Sequence, residues 1–202
     1  MLGLYILQKC AQYMHPLRLS LFALIFLAVF SMNNVEADEE TIKIGFLNPI
    51  TGPIDIYADG FRDAAEVAID ELNEIYDGDY NFELVVSDSG CDGTTAATGT
   101  DSLIDSGVIG IAGAACSGAT LSASDVASAA GVVVVSYAST SPAITDYDDN
   151  GYLFRVVPSD DQQGLALAAV AEGEGFSNPA ILYMNNDYGY GLATAFFDEW
   201  YY

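Results

Sequence analysis

The chain has 202 residues, 51% of them hydrophobic and 17% charged, which is apolar enough for a packed core and excludes disorder throughout. Its formal net charge is −24 at pH 7, and a surface of that sign repels phosphate backbones and anionic lipid, so nucleic-acid binding is excluded. The acids are scattered and form no tail; they read as a solvation strategy suited to a salty habitat that screens self-repulsion.

The N-terminus is set aside before any fold is read. Lys9 and Arg18 precede an apolar run over residues 19–30, interrupted only by Ser20. Val35-Glu36-Ala37 then places small residues at the two positions a signal peptidase reads. Residues 1–37 therefore read as a signal peptide cleaved after Ala37, with an uncleaved anchor as the alternative and Met14 as an alternative start. The run is short for a membrane span, and no cysteine follows it to carry a lipid. Past the leader only Lys43, Arg62 and Arg155 remain as cations.

Strand and helix signals then alternate. Residues 41–47 predict a strand, followed by a Pro/Gly loop over 48–53. From Tyr57 to Ile75 the apolar residues Phe61, Ala64, Ala65, Ala68, Ile69, Leu72 and Ile75 recur at helical spacing. Strands are predicted over 82–87, 108–112, 132–135 and 152–157, with helices over 94–105 and 120–130 between them. The β-branched run 132–135 suits a strand buried on both faces. A helix over 162–172, a strand over 180–184 and a helix from Tyr188 onward complete the series. Such alternation predicts an α/β fold built on a parallel sheet with helices on both faces. The last helical pattern still carries Phe196, Phe197, Trp200, Tyr201 and Tyr202 at its end, without a capping glycine. Only about 45 residues follow a crossover near Pro158, too few for a second core, so a truncated second lobe is expected.

Several chemistries lack their residues. The only histidine is His15, inside the leader, so a histidine-based triad or a histidine-rich metal site has no material beyond it. No phosphate-cradling G-x-x-x-x-G-K-[ST] and no dinucleotide fingerprint occurs. Asp146-x-Asp148-x-Asn150-Gly151 matches half of a calcium loop, but Val157 stands where a bidentate Glu is required, and a turn before the next strand is the simpler reading. No metal, no cofactor and no enzymatic role are expected.

In an open parallel sheet, ligands sit beyond the carboxyl ends of the strands. The segments expected there are residues 48–57, Cys116-Ser117-Gly118-Ala119-Thr120, Ser136-Tyr137-Ala138-Ser139-Thr140-Ser141-Pro142 and Asn186-Asp187-Tyr188-Gly189-Tyr190-Gly191. They are rich in hydroxyls, glycine and aromatics. Ser117 or Gly118, and Ser141 before Pro142, carry helix N-cap signatures. Helix starts with free N–H groups suit a small carboxylate, and equally suit capping alone.

The run Ile42-Lys-Ile-Gly-Phe-Leu-Asn-Pro-Ile-Thr-Gly-Pro, with Tyr57 and Gly60 before an Ala-rich helix, resembles the opening of the branched-chain amino acid (Leu/Ile/Val) binding proteins of ABC transporters. The segments at Cys116, at Ser139-Thr140-Ser141-Pro142 and at Asp187-Tyr188-Gly189-Tyr190-Gly191 resemble theirs in order and spacing, over nearly all of residues 41–202. The resemblance implies a type I periplasmic-binding-protein fold of two lobes, the first over residues 38–157 and the second beginning at 158–202. It implies that Ser117 and Thr140 bond the α-carboxylate of an amino acid or amide, that the Ala138 carbonyl takes the α-ammonium, and that Ser139, Tyr57 and Tyr188 line the pocket. It also implies a disulfide between Cys91 and Cys116, as an isolated cysteine pair in an exported protein suggests; free thiols and a two-ligand metal site are the alternatives. The expected partner is an ABC transporter permease, the expected location periplasmic or extracellular, and the membrane is reached only through that partner or an uncleaved leader. A sensor ectodomain with the same fold is the competing role, and an enzyme working with carboxylates alone the remote one.

Overall fold

The computed structural model describes residues 39–201; the signal peptide read over 1–37 lies outside the described residues. Five strands form one parallel sheet: β1 (Glu40–Asn48), β2 (Tyr80–Asp88), β3 (Gly110–Gly113), β4 (Val133–Ser136) and β5 (Leu153–Arg155). Their order is β2-β1-β3-β4-β5, so the chain steps one way from β1 to β2 and the other way from β3 onward. That reversal opens a crevice between the carboxyl ends of β1 and β3, where loops diverge to opposite faces. It positions everything that follows.

The helices are α1 (Ala58–Ile75), α2 (Gly93–Asp105), α3 (Ser117–Ala130), α4 (Asp160–Gly173) and α5 (Asp187–Tyr201). α1 packs on β1 and β2, while α2 and α3 pack on each other. With right-handed crossovers, the reversal at β1 sends α1 to one face and α2 and α3 to the other. Ala119, Ala123 and Ala127 form a stripe at i, i+4 spacing that is at most 1% exposed, and their small side chains bring α3 close to the sheet. Leu47, Leu103, Ile111, Val134, Ile144 and Leu153 fill the core around them.

The helix ends have local causes. Asp92 caps α2 by accepting from the Thr95 amide, and Ser159 caps α4 by accepting from Asp161. Gly131, at φ 72°, closes α3 in the left-handed conformation that favours glycine. The half-motif at Asp146 is a turn: Asp149 accepts from the amides of Gly151 (2.7 Å) and Leu153 (3.2 Å), leading into β5.

Three expectations change. The strand predicted over 180–184 does not form; Leu182 is 99% exposed and no described strand lies beside it, so its backbone has no ladder to join. Ser141-Pro142 opens a single 3₁₀ turn, Pro142–Ile144, and Ser141 makes no side-chain cap. α3 begins three residues earlier than predicted, at Ser117, with Cys116 as its N-cap residue.

Candidate functional site

The carboxyl ends of the strands surround a cavity of about 640 Å³. Pro53 and Ile54 reach it from the loop after β1, Cys91 and Asp92 from that after β2, and Ser117, Gly118 and Ala119 from the start of α3. Ala138 and Thr140 line it from the loop after β4, and Gln163, Met184 and Tyr188 from the residues around α4 and α5. The first amides of α3, as in any helix, have no intrahelical acceptor, Cys116 supplies no side-chain cap for them, and the residues that carry them, Ser117, Gly118 and Ala119, line the cavity. A helix start of this kind favours negative charge.

Two hydroxyls flank the cavity with opposite polarity. Ser117, 2% exposed, accepts a hydrogen bond from the Ser141 amide at 3.3 Å, which leaves its own proton free to donate. Thr140 donates its proton to Asp160 Oδ2 at 2.8 Å, so its oxygen has only lone pairs left for anything in the cavity. The resemblance has Thr140 bonding a carboxylate; in this arrangement its hydroxyl proton is directed to Asp160.

Two other expected residues do not line the cavity. The Ser139 hydroxyl lies 2.7 Å from Thr120 Oγ1 and 3.1 Å from the Ala114 carbonyl, and its amide donates to Ser136 Oγ at 3.0 Å. With Ser136 also bonded to the Ala114 carbonyl at 2.7 Å, it belongs to a buried platform under the loop. Tyr57 closes a 3₁₀ turn, Asp55–Tyr57, and its ring packs against Phe61 one helical turn on, at 6.0 Å between centroids; Pro53 and Ile54 take its place at the cavity. Ser117, Ala138, Thr140 and Tyr188 are brought together as expected.

The rim is tied down from several sides. Cys91 and Cys116 form a disulfide with their Cα atoms 5.2 Å apart, joining the loops after β2 and β3. Asp88 accepts from Thr51 Oγ1 (2.6 Å), the Thr51 amide (3.1 Å) and the Gly90 amide (2.8 Å), which binds the loop after β1 to the end of β2. Partial burial raises its pKa, but these hydrogen bonds outweigh that effect and hold it below the usual carboxylate value. Arg155 donates to the Ser141 carbonyl at 2.8 Å and to Thr145 Oγ1. Sequence reasoning missed Asp88, Asp160 and Gln163. Asp160 had a signal, an acid directly after Pro158-Ser159 at a helix start; Asp88 and Gln163 had none.

Residues 61–200 match the receptor family ligand binding region. The chain belongs to that family. It is 35% identical over 180 residues to a leucine-, isoleucine-, valine-, threonine- and alanine-binding protein of Pseudomonas aeruginosa, covering 86% of this chain and 46% of that one. Its fold is similar to the branched-chain amino acid transporter substrate-binding protein LivJ of Streptococcus pneumoniae, solved with isoleucine, at a TM-score of 0.69 and 31% identity over 80% of this chain and 47% of that one. The leucine-binding protein LivK of Thermotoga maritima gives a TM-score of 0.70 and 26% identity over 79% and 45%. The resemblance to branched-chain amino acid binding proteins and the type I periplasmic-binding-protein fold thus hold for this chain, which spans about half the length of the relatives it matches.

Proposed function

We propose that the protein captures a small amino acid, branched-chain or similar, outside the cytoplasm and delivers it to an ABC transporter permease without altering it. The observation that carries this reading is the opposite polarity of the hydroxyls of Ser117 and Thr140 on one cavity. A zwitterion needs a donor set for its carboxylate and an acceptor set for its ammonium. Ser117 and the first amides of α3 supply the former, the Thr140 oxygen and the Ala138 carbonyl the latter. Tyr188 closes over the ligand from α5. Residues 38–157 act as the first lobe, and the chain from 158 begins the second, with the hinge near Pro158 and Ser159.

The P. aeruginosa and S. pneumoniae relatives, named for amino-acid binding or solved with isoleucine, support the ligand class. An exported location follows from the leader read over 1–37. Titration calorimetry on the purified full-length protein tests the reading, with a panel of branched-chain and small amino acids, amides and aromatic acids. One-site binding of an amino acid at micromolar or tighter affinity is expected. An aromatic acid binding tightly while every amino acid gives no heat overturns it.

A further inference from the structure

The cavity has walls of unlike chemistry. The loops after β1, β2 and β3 bring Pro53, Ile54 and the Cys91–Cys116 bridge to it, an apolar side. The residues around α4 and α5 add three carboxamides, Gln163, Asn185 and Asn186. Asn186 is fixed in place. Its Oδ1 accepts from the Gly189 amide at 2.8 Å, while its own amide donates to the Met184 carbonyl (2.8 Å) and its carbonyl accepts from the Tyr190 amide (2.9 Å). A Cβ at Gly189 would overlap the Met184 backbone, so residues 184–186 are folded onto the start of α5 rather than trailing past it. With Oδ1 committed, Asn186 has only its Nδ2 protons left to offer. Gln163, in the first turn of α4, and Asn185 are exposed, and their carboxamides have no protein partner among the described residues. Water satisfies these groups until a ligand's side chain takes its place.

Charge narrows the class of ligand. No lysine or arginine lines the cavity, whereas Asp92 and Asp187 do, so an acidic side chain finds no counter-charge there. Asp92 Oδ1 is in addition spent on the Thr95 amide and hydroxyl at the start of α2, at 3.0 and 3.1 Å.

We propose that Gln163, Asn185 and Asn186 make this cavity selective for an amino acid with an uncharged, hydrogen-bonding side chain, a carboxamide first of all. The aliphatic stem of such a side chain lies against Pro53, Ile54 and the disulfide, and its head pairs with the carboxamides opposite. A hydrocarbon side chain enclosed against the same wall strips water from those groups and returns no hydrogen bond, and a site built to pair a polar group rejects the analogue that lacks it. The proposal rests on the reading of the cavity as an amino-acid site, and within that reading it moves the preferred side chain from hydrocarbon to carboxamide.

Leucine, asparagine and aspartate share one shape and differ in what the side chain ends on: two methyls, a carboxamide or a carboxylate. Calorimetry on the full-length protein measures all three, with arginine as the cationic comparison. Asparagine is expected to bind at least tenfold more tightly than leucine, and aspartate at least tenfold more weakly than asparagine. Gln163→Met and Asn185→Leu keep the size of each side chain and remove its carboxamide. Together they are expected to cut asparagine affinity at least tenfold and leave leucine bound as before or more tightly. Both positions are exposed, so the thermal midpoint should stay at the wild-type value. Wild type that fails to prefer asparagine to leucine, or that binds arginine more tightly than asparagine, overturns the proposal. So does a doubly substituted protein that keeps the wild-type preference or loses both ligands in parallel. Wild type binding no amino acid at all instead overturns the reading on which the proposal rests.

Discussion

The Ser141 hydroxyl donates to the main-chain carbonyl of Asp187 at 3.1 Å, tying the loop after β4 to the first residue of α5. Two glycines permit that approach. A Cβ at Gly191 would come 2.7 Å from Ser141 Oγ, and one at Gly118 would overlap the Asp187 carboxylate. Gly191→Ala, which meets Ser141 and the Pro142 ring, is therefore expected to hold α5 away from the loop after β4 and weaken ligand binding about tenfold, or ~1.4 kcal/mol, and Gly118→Ala to do so less, because the Asp187 carboxylate can turn aside. Calorimetry reads the affinity, and small-angle scattering reads a larger radius of gyration with ligand present. Affinity equal to wild type in both variants contradicts the contact.

The Cys91–Cys116 disulfide closes a loop with a sequence separation of 25 and sits directly before Ser117. Replacing both cysteines by serine should lower the unfolding free energy by about 3 kcal/mol on the chain-entropy argument. Denaturant unfolding of the full-length protein measures it, and dithiothreitol should reproduce the loss in the wild type. Ligand affinity should fall as well, because the bridge holds the start of α3 at the cavity.

Asp88 makes the acid side of the stability profile specific. Its folded pKa lies below the unfolded value of 3.8, so its contribution is fully present above that value and is lost as pH falls through the folded pKa. Asp88→Asn removes this dependence, and its unfolding midpoint should fall less than that of wild type between pH 5 and pH 2, a window set by about a unit either side of the carboxylate range. Asp88 is only partly buried, so the effect is a modest one.

Net charge sets a second dependence. At −24, with ion pairs among the described residues confined to Arg62, the folded surface repels itself. Raising potassium chloride from tens of millimolar to molar shortens the screening length to about 3 Å and should raise the thermal midpoint. A midpoint that stays level or falls contradicts this account of the acidic surface.

Much of this was legible in the chain. The alternating periods yielded the five strands and the five α-helices described, most of them amphipathic or buried on their own account, although α4 leaves Leu165, Leu167 and Val170 exposed. The segment 180–184 failed for a different reason: an apolar run such as Ala180-Ile181-Leu182-Tyr183-Met184 becomes a strand only beside a partner, and pairing is invisible in a single window. At the site, family likeness pointed to Ser117, Ala138, Thr140 and Tyr188, yet it could not show which way a hydroxyl's proton is turned. That depends on Asp160 and Ser141, residues 20 and 24 positions from Thr140 and Ser117. The displacement of Tyr57 and Ser139 from the cavity likewise follows from contacts with Phe61 and Thr120 that no motif records.

A crystal structure of the full-length protein with leucine addresses the central claim most directly. The ligand carboxylate should lie within hydrogen-bond reach of Ser117 Oγ and the first amides of α3, with the ammonium on Thr140 Oγ1 and the Ala138 carbonyl. Leucine bound in the reverse orientation, or outside this cavity, would contradict it.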